Sequence, residues 1–194
     1  MPAEIGAALG ILLPSIVSWA FLTSDVHTST WIASLGCMVH CPFSFMLHMH
    51  RAFSSDAVTR TWLYKLDASF IHVHSVLTGY AWGLRHQLTE VIYHACSILH
   101  IFFALPLKNP NVKKVIDILA GLGAAKSSFG MAFRSLPLWT CAILFWVVLF
   151  SIHHKKLAGT HSSLVMHIML AVPQYCMLRS LQYHDPYWGP SNQK

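Results

Sequence analysis

The sequence predicts an all-α fold: a seven-helix transmembrane bundle with a cytoplasmic N-terminus. Three observations lead there. Only 10% of the 194 residues are charged while 55% are hydrophobic, against about 25% charged in an ordinary soluble domain. The apolar residues gather into runs near the roughly 20 residues that a helix needs to cross a bilayer. The basic residues fall in short clusters between those runs, as they do where charge orients helices in a membrane. A disordered chain is excluded, because a chain this apolar does not stay solvated.

Taken in order, the runs predict spans near 5–22, 31–49, 67–84, 89–106, 113–132, 136–152 and 161–178. The first has no basic stretch before it and no A-x-A site after it, so it reads as a retained helix rather than a signal peptide. The fifth is the most polar, with Asp117 and Lys126, and relies on Gly121, Gly123 and Ala124 for close packing. The longest connector is expected at His50–Leu66. Residues 1–180 thus make a single transmembrane domain, and 181–194, with Pro186, Gly189 and Pro190, an extended tail.

A cytoplasmic N-terminus puts connectors two, four and six inside. They hold Arg51, Arg60, Lys65, Lys108, Lys113, Lys114, Lys155 and Lys156, leaving Arg85, Lys126, Arg134, Arg179 and Lys194 for the other side. That excess sets the orientation. The net charge of +6 does not indicate nucleic acid, since no basic stripe is interleaved with aromatics. Cys37, Cys41, Cys96, Cys141 and Cys176 lie inside apolar stretches, an odd number that reads as small core residues rather than a disulfide framework.

Fourteen histidines is a high count, and ionisable groups at membrane depth mark a functional interior by default. A lone intramembrane His is more often packed against a backbone carbonyl. Three places go further. In the second span His40, Ser44 and His48 recur every four residues and so share a face. The pattern fits a metal site with a bonded Ser, or equally a core His above a Ser-to-backbone bond. Asp67 opens the third span without a basic partner one turn away; the plain account is a helix N-terminal acid favoured by the macrodipole. His74 lies on its face. The seventh span opens with His161 and reaches His167, an i, i+6 pair whose side chains diverge by about 120° on an ideal helix. In an alternating topology the end of the second span and the starts of the third and seventh share one membrane level. Ser44, His48, Asp67, His161 and His167 can therefore meet there.

These residues resemble the CREST superfamily of seven-span membrane hydrolases. It includes the progestin and adipoQ receptors with the hemolysin III-like proteins, the alkaline ceramidases and the myomaker-like proteins. The family pattern is a Ser and a His four apart late in the second span, an Asp early in the third, and H-x3-H in the seventh. Ser44 to His48, Tyr64 to Ile71 around Asp67, and Val165 to Leu170 around His167 match these elements. One position departs: Ser163 stands four before His167, where the family has His. The nearest upstream histidine is His161, taken as the third metal ligand, with His74 as the alternative.

The resemblance implies Zn²⁺ held by His48, His161 and His167, with catalytic roles for Asp67 and Ser44. Zinc on three imidazoles lowers the pKa of its water to about 7. Asp67 would orient or deprotonate that water, and Ser44 would bond it or the developing oxyanion. The implied substrate is a membrane lipid, and the reaction hydrolysis of a ceramide-like lipid amide or an ester. Two other readings cover parts of the pattern. A non-catalytic receptor, scaffold or fusion-type member of the same fold would account for Ser163. A transmembrane haem b protein would account for the histidine count, but not for Ser44 or Asp67.

Overall fold

The computed structural model describes residues 1–24, 27–82, 88–103 and 135–183, which are helical throughout apart from short turns, with no strand among them. The helices are α1 (Pro2–Gly10), α2 (Leu12–Leu22), α3 (Thr28–Phe53), α4 (Ala57–Ala81), α5 (Leu88–Phe103), α6 (Leu136–His154), α7 (Ser162–Met169) and α8 (Ala171–Tyr183); a 3-10 turn at Gly159–His161 leads into α7. Among the described residues, four segments are long and apolar enough to cross a membrane: Pro2–Leu22, Thr28–Phe53, Leu136–His154 and Gly159–Tyr183. The helix α4 lies where the third span is expected but carries Arg60, Lys65 and Asp67, and α5, at the fourth, has 16 residues. The expected fifth span at 113–132 lies outside the described residues.

The distribution of side chains is that of a chain solvated by lipid. Leu9, Ile16, Trp19, Ile92, Leu99, Leu144, Val147 and Val148 face outward, while Ser18, Ser29, Thr30, Ser34, Ser44 and Ser180 are fully buried. Buried hydroxyls need partners when no water is near, and helix carbonyls one turn back supply several: Ser15 donates to Ile11 and Ser69 to Lys65. Small residues let backbones approach, the main source of helix association where lipid removes the hydrophobic drive.

The centre of the bundle is α3, which packs against α1, α2, α4 and α8. At 26 residues it is about 39 Å long by the rise of 1.5 Å per residue. Behind α4 lies α5, and α6 packs on α7 and α8. One end of the bundle is closed by Phe21, Ala33, Ala81, Trp82, Leu178 and Leu181. Glu4, His48 and His167 belong to the other end, near the start of α1, towards the end of α3 and in the last turn of the short α7.

Two breaks shape that end. The first segment is interrupted at Ile11 and the last at Leu170. Each precedes a proline by three residues, Pro14 and Pro173, whose rings clash with the carbonyl four residues back. The broken segments then pack on each other. A Cβ on Gly10 would lie 3.1 Å from His167 Cβ and 3.2 Å from the Ile168 backbone nitrogen, so only glycine allows α1 this close to α7.

Three expectations are corrected. The connector His50–Leu66 is mostly helix, because Asp56 caps α4 ten residues before the expected start. Its carboxylate accepts from the Val58 and Thr59 backbone N–H groups at 2.9 and 3.3 Å, an N-cap that commits the following residues to helix. The tail is helical as far as Tyr183, with the remainder outside the described residues. All five cysteines are free, but Cys96 is exposed rather than part of a core.

Candidate functional site

Asp67 is placed by the early start of α4. It lies in the helix interior, so the macrodipole of a first turn does not account for it. Its Oδ1 accepts from His40 Nε2 at 2.9 Å, with the two side chains 14% and 15% exposed. Ser44, fully buried one turn along α3, lies beside the same carboxylate, and His48 lies within electrostatic reach. Lys65 is turned elsewhere: its Nζ donates to the Phe102 carbonyl of α5 at 3.3 Å. The α3–α4 contact is tight on either side, with Phe43 and Phe70 stacked at 4.0 Å and a Cβ on Gly36 lying 2.9 Å from His74 Cδ2.

The shared face of α3 therefore divides. His40 and Ser44 turn to α4, whereas His48 meets α1 and α7. The rings of His48 and His167 are 4.7 Å apart between centroids and nearly perpendicular, at 79°. Both are buried. Each has one nitrogen committed. His167 Nδ1 donates to the Ser163 carbonyl at 2.7 Å, with the Ser163 hydroxyl 3.4 Å away, and His48 Nδ1 donates to Glu4 Oε2 at 2.6 Å. A neutral imidazole whose Nδ1 carries the proton offers its Nε2 lone pair as acceptor or ligand.

His161 ends the 3-10 turn and is exposed. Gly159 before it has φ of 56°, a backbone angle that glycine adopts without the cost a Cβ would impose. His74 sits beside His40, with ring centroids 6.5 Å apart, and not beside the His48–His167 pair. Among the described residues no three His, Cys, Asp or Glu side chains are grouped so as to hold a metal. The pair supplies two imidazoles, where a catalytic zinc site takes three protein ligands, and no third is assembled with them among the described residues. Two shallow apolar depressions, about 470 and 310 Å³ in volume, are lined by Leu136–Phe145 residues and by 57–62 residues, away from the pair.

Three residues were not singled out by the sequence in these roles. Glu4 reads as an acid at a helix start, and its partner is 44 residues away. His40 reads as a neighbour of Ser44 rather than the partner of Asp67. His153, at the end of α6, lies within electrostatic reach of both His48 and His167. Its Nδ1 is buried with no hydrogen-bond partner among the described residues. Its signal was only its place beside His154 at a span end.

Compared with known proteins, the chain matches no family model, no curated protein and no solved structure.

Proposed function

We propose that the protein is a seven-span, N-in, zinc-dependent intramembrane hydrolase of the CREST type, acting on a ceramide-like lipid amide or an ester. The observation that carries the reading is the His48–His167 pair, two buried imidazoles from different spans with both Nδ1 atoms engaged and both Nε2 atoms available. Asp67 on α4 and Ser44, one turn from His48 on α3, support it.

His48 and His167 would hold the zinc through Nε2, with His161 as the third ligand once the Gly159–His161 turn rewinds towards them. Zinc supplies Lewis acidity and a water acidic enough to attack an acyl carbon at neutral pH. Asp67, fixed by His40, would take the proton of the attacking water and pass it to the leaving amine or alcohol as the C–N or C–O bond breaks. Ser44 donates to the oxygen on which charge develops. The surrounding helices exclude bulk water, and the acyl chain lies among the outward-facing aliphatic residues. A non-catalytic protein of the same fold is the runner-up, favoured by Ser163 and by the lack of a three-residue ligand group among the described residues.

Elemental analysis of the full chain purified in detergent tests the reading. Close to one zinc per chain is expected, lost in both His48→Ala and His167→Ala, together with release of fatty acid from a short-chain ceramide by the wild type alone. Stoichiometric zinc without turnover would favour the runner-up. No zinc and no turnover would overturn the hydrolase, and a Soret band would establish haem in its place.

A further inference from the structure

Glu4 is the only charged residue in the segment Pro2–Leu22, and its carboxylate is directed at a buried ring of another helix. Oε2 lies 2.6 Å from His48 Nδ1, with the His48 side chain 5% exposed and that of Glu4 33%. An ionised carboxylate can only accept, so the shared proton belongs to Nδ1. Hydrogen bonds to a charged group are short and roughly twice as strong as neutral ones, which makes this contact a firm constraint on the ring.

The helix that carries Glu4 is held by other means as well. Glycines at positions 6 and 10 bring α1 against Leu164, His167 and Ile168 of α7. The bond to His48 is thus made by a carboxylate whose backbone is already seated. Across the pair, the Ser163 carbonyl does for His167 what Glu4 does for His48. One clamp is local, four residues away; the other comes from a separate helix.

We propose that Glu4 is the positioning residue of His48: it fixes the Nδ1–H tautomer and leaves Nε2 as the unprotonated nitrogen of a ring packed on His167. Its purpose rests on the zinc reading above, but its geometry does not. Histidines that ligate metals commonly donate their other N–H to a carboxylate, which sets the tautomer and raises the basicity of the ligating nitrogen. Glu4 touches neither substrate nor metal in this role and acts through the ring.

The test separates the two readings by examining the tautomer without metal. Full-length protein labelled with ¹⁵N-histidine, stripped with a chelator and held in nanodiscs at neutral pH, gives the ring nitrogen shifts. The His48 signals are identified by their loss in His48→Gln. The expected wild-type state is neutral with the proton on Nδ1. Glu4→Leu should lose that preference, whereas Glu4→Gln, whose side-chain carbonyl still accepts, should keep it. Zinc titration of the same proteins should show affinity weakened by about 10–100-fold in Glu4→Leu and by less in Glu4→Gln. An unchanged His48 tautomer in Glu4→Leu, or a doubly protonated His48 in the wild type, overturns the proposal. If the wild type binds no zinc, the hydrolase reading fails while the tautomer comparison still decides the role of Glu4. Should Glu4→Leu fail to fold, Glu4→Gln against Glu4→Ala provides the same comparison.

Discussion

The Asp67 carboxylate is held by His40, whose Nε2 stands 2.9 Å from Oδ1 across the α3–α4 contact. Both groups are mostly buried, so removing either partner strands the other. A hydrogen bond to a charged group contributes about 1.5–3 kcal/mol. His40→Phe and Asp67→Leu should each lower stability in detergent by that order. The double variant should cost less than the two together, because neither group is then left alone. Strict additivity in thermal unfolding would show that the pair is not coupled.

The third zinc position can be settled by two single substitutions. If the Gly159–His161 turn rewinds, His161→Ala should remove zinc as fully as His48→Ala, and His153→Ala should leave it bound. Its Nδ1, buried with no hydrogen-bond partner among the described residues, makes His153 the residue to compare. Retention of zinc in His161→Ala with loss in His153→Ala would move the third ligand to α6.

Gly6 and Gly10 should respond differently to the same change. An added Cβ at Gly6 meets the end of the Leu164 side chain, with Cδ1 at 2.9 Å, which can swing away. At Gly10 it meets His167 Cβ and the backbone of Ile168, which cannot. Gly6→Ala should be nearly neutral. Gly10→Ala should cost about 1–3 kcal/mol as an overpacked contact, and should weaken zinc binding because it pushes against the helix turn carrying His167. Equal thermal midpoints for the two variants would refute the close approach of α1 and α7.

The cap of α4 makes a prediction about acid. Hydrogen bonding by Thr59 and by the Val58 backbone holds the Asp56 carboxyl below the ordinary aspartate value of 3.8. A depressed pKa means that the charged form is the one the fold favours, so the cap stabilises above pH 3.8 and is lost as pH falls through the lower folded value. Asp56→Ala should lower the melting temperature at neutral pH and flatten its dependence at the acid end. Asp56→Ser should retain part of the cap with no such dependence. An unaltered acid profile in Asp56→Ala would count against the cap.

Residue type and spacing made part of the site legible. Ser44 and His48 share a helix face in any register, and His167 sits near a span start wherever that start falls. The pairing of His40 with Asp67 was not legible, because it depends on how α3 is rotated against α4. Glu4 was hidden for a related reason: a lone acid at the head of an apolar run is ordinary, and only the fold brings it to His48. The start of α4 is not legible because Arg60 and Lys65 make the stretch read as a connector, although Asp56, two and three residues before Val58 and Thr59, is an N-cap signal. Apolar run lengths located the helices of the first, second, sixth and seventh spans well, since bilayer thickness sets them directly.

The outward-facing aliphatic side chains and the buried serines also determine where the chain tolerates substitution. In a water-soluble protein the surface accepts polar replacements and the interior accepts other hydrocarbons. Here the permissive positions are Ile16, Leu144, Val147 and Val148, which can exchange freely among themselves but should reject Asp or Lys, since lipid solvates neither. The restrictive positions are Ser18, Ser29, Ser34 and Ser180, where a residue as conservative as Val adds volume between backbones that have no room for it. A saturation-mutagenesis map scored by folded yield should therefore show hydrocarbon-rich stretches of broad acceptance, interrupted by single serines and glycines at which almost every change is lost.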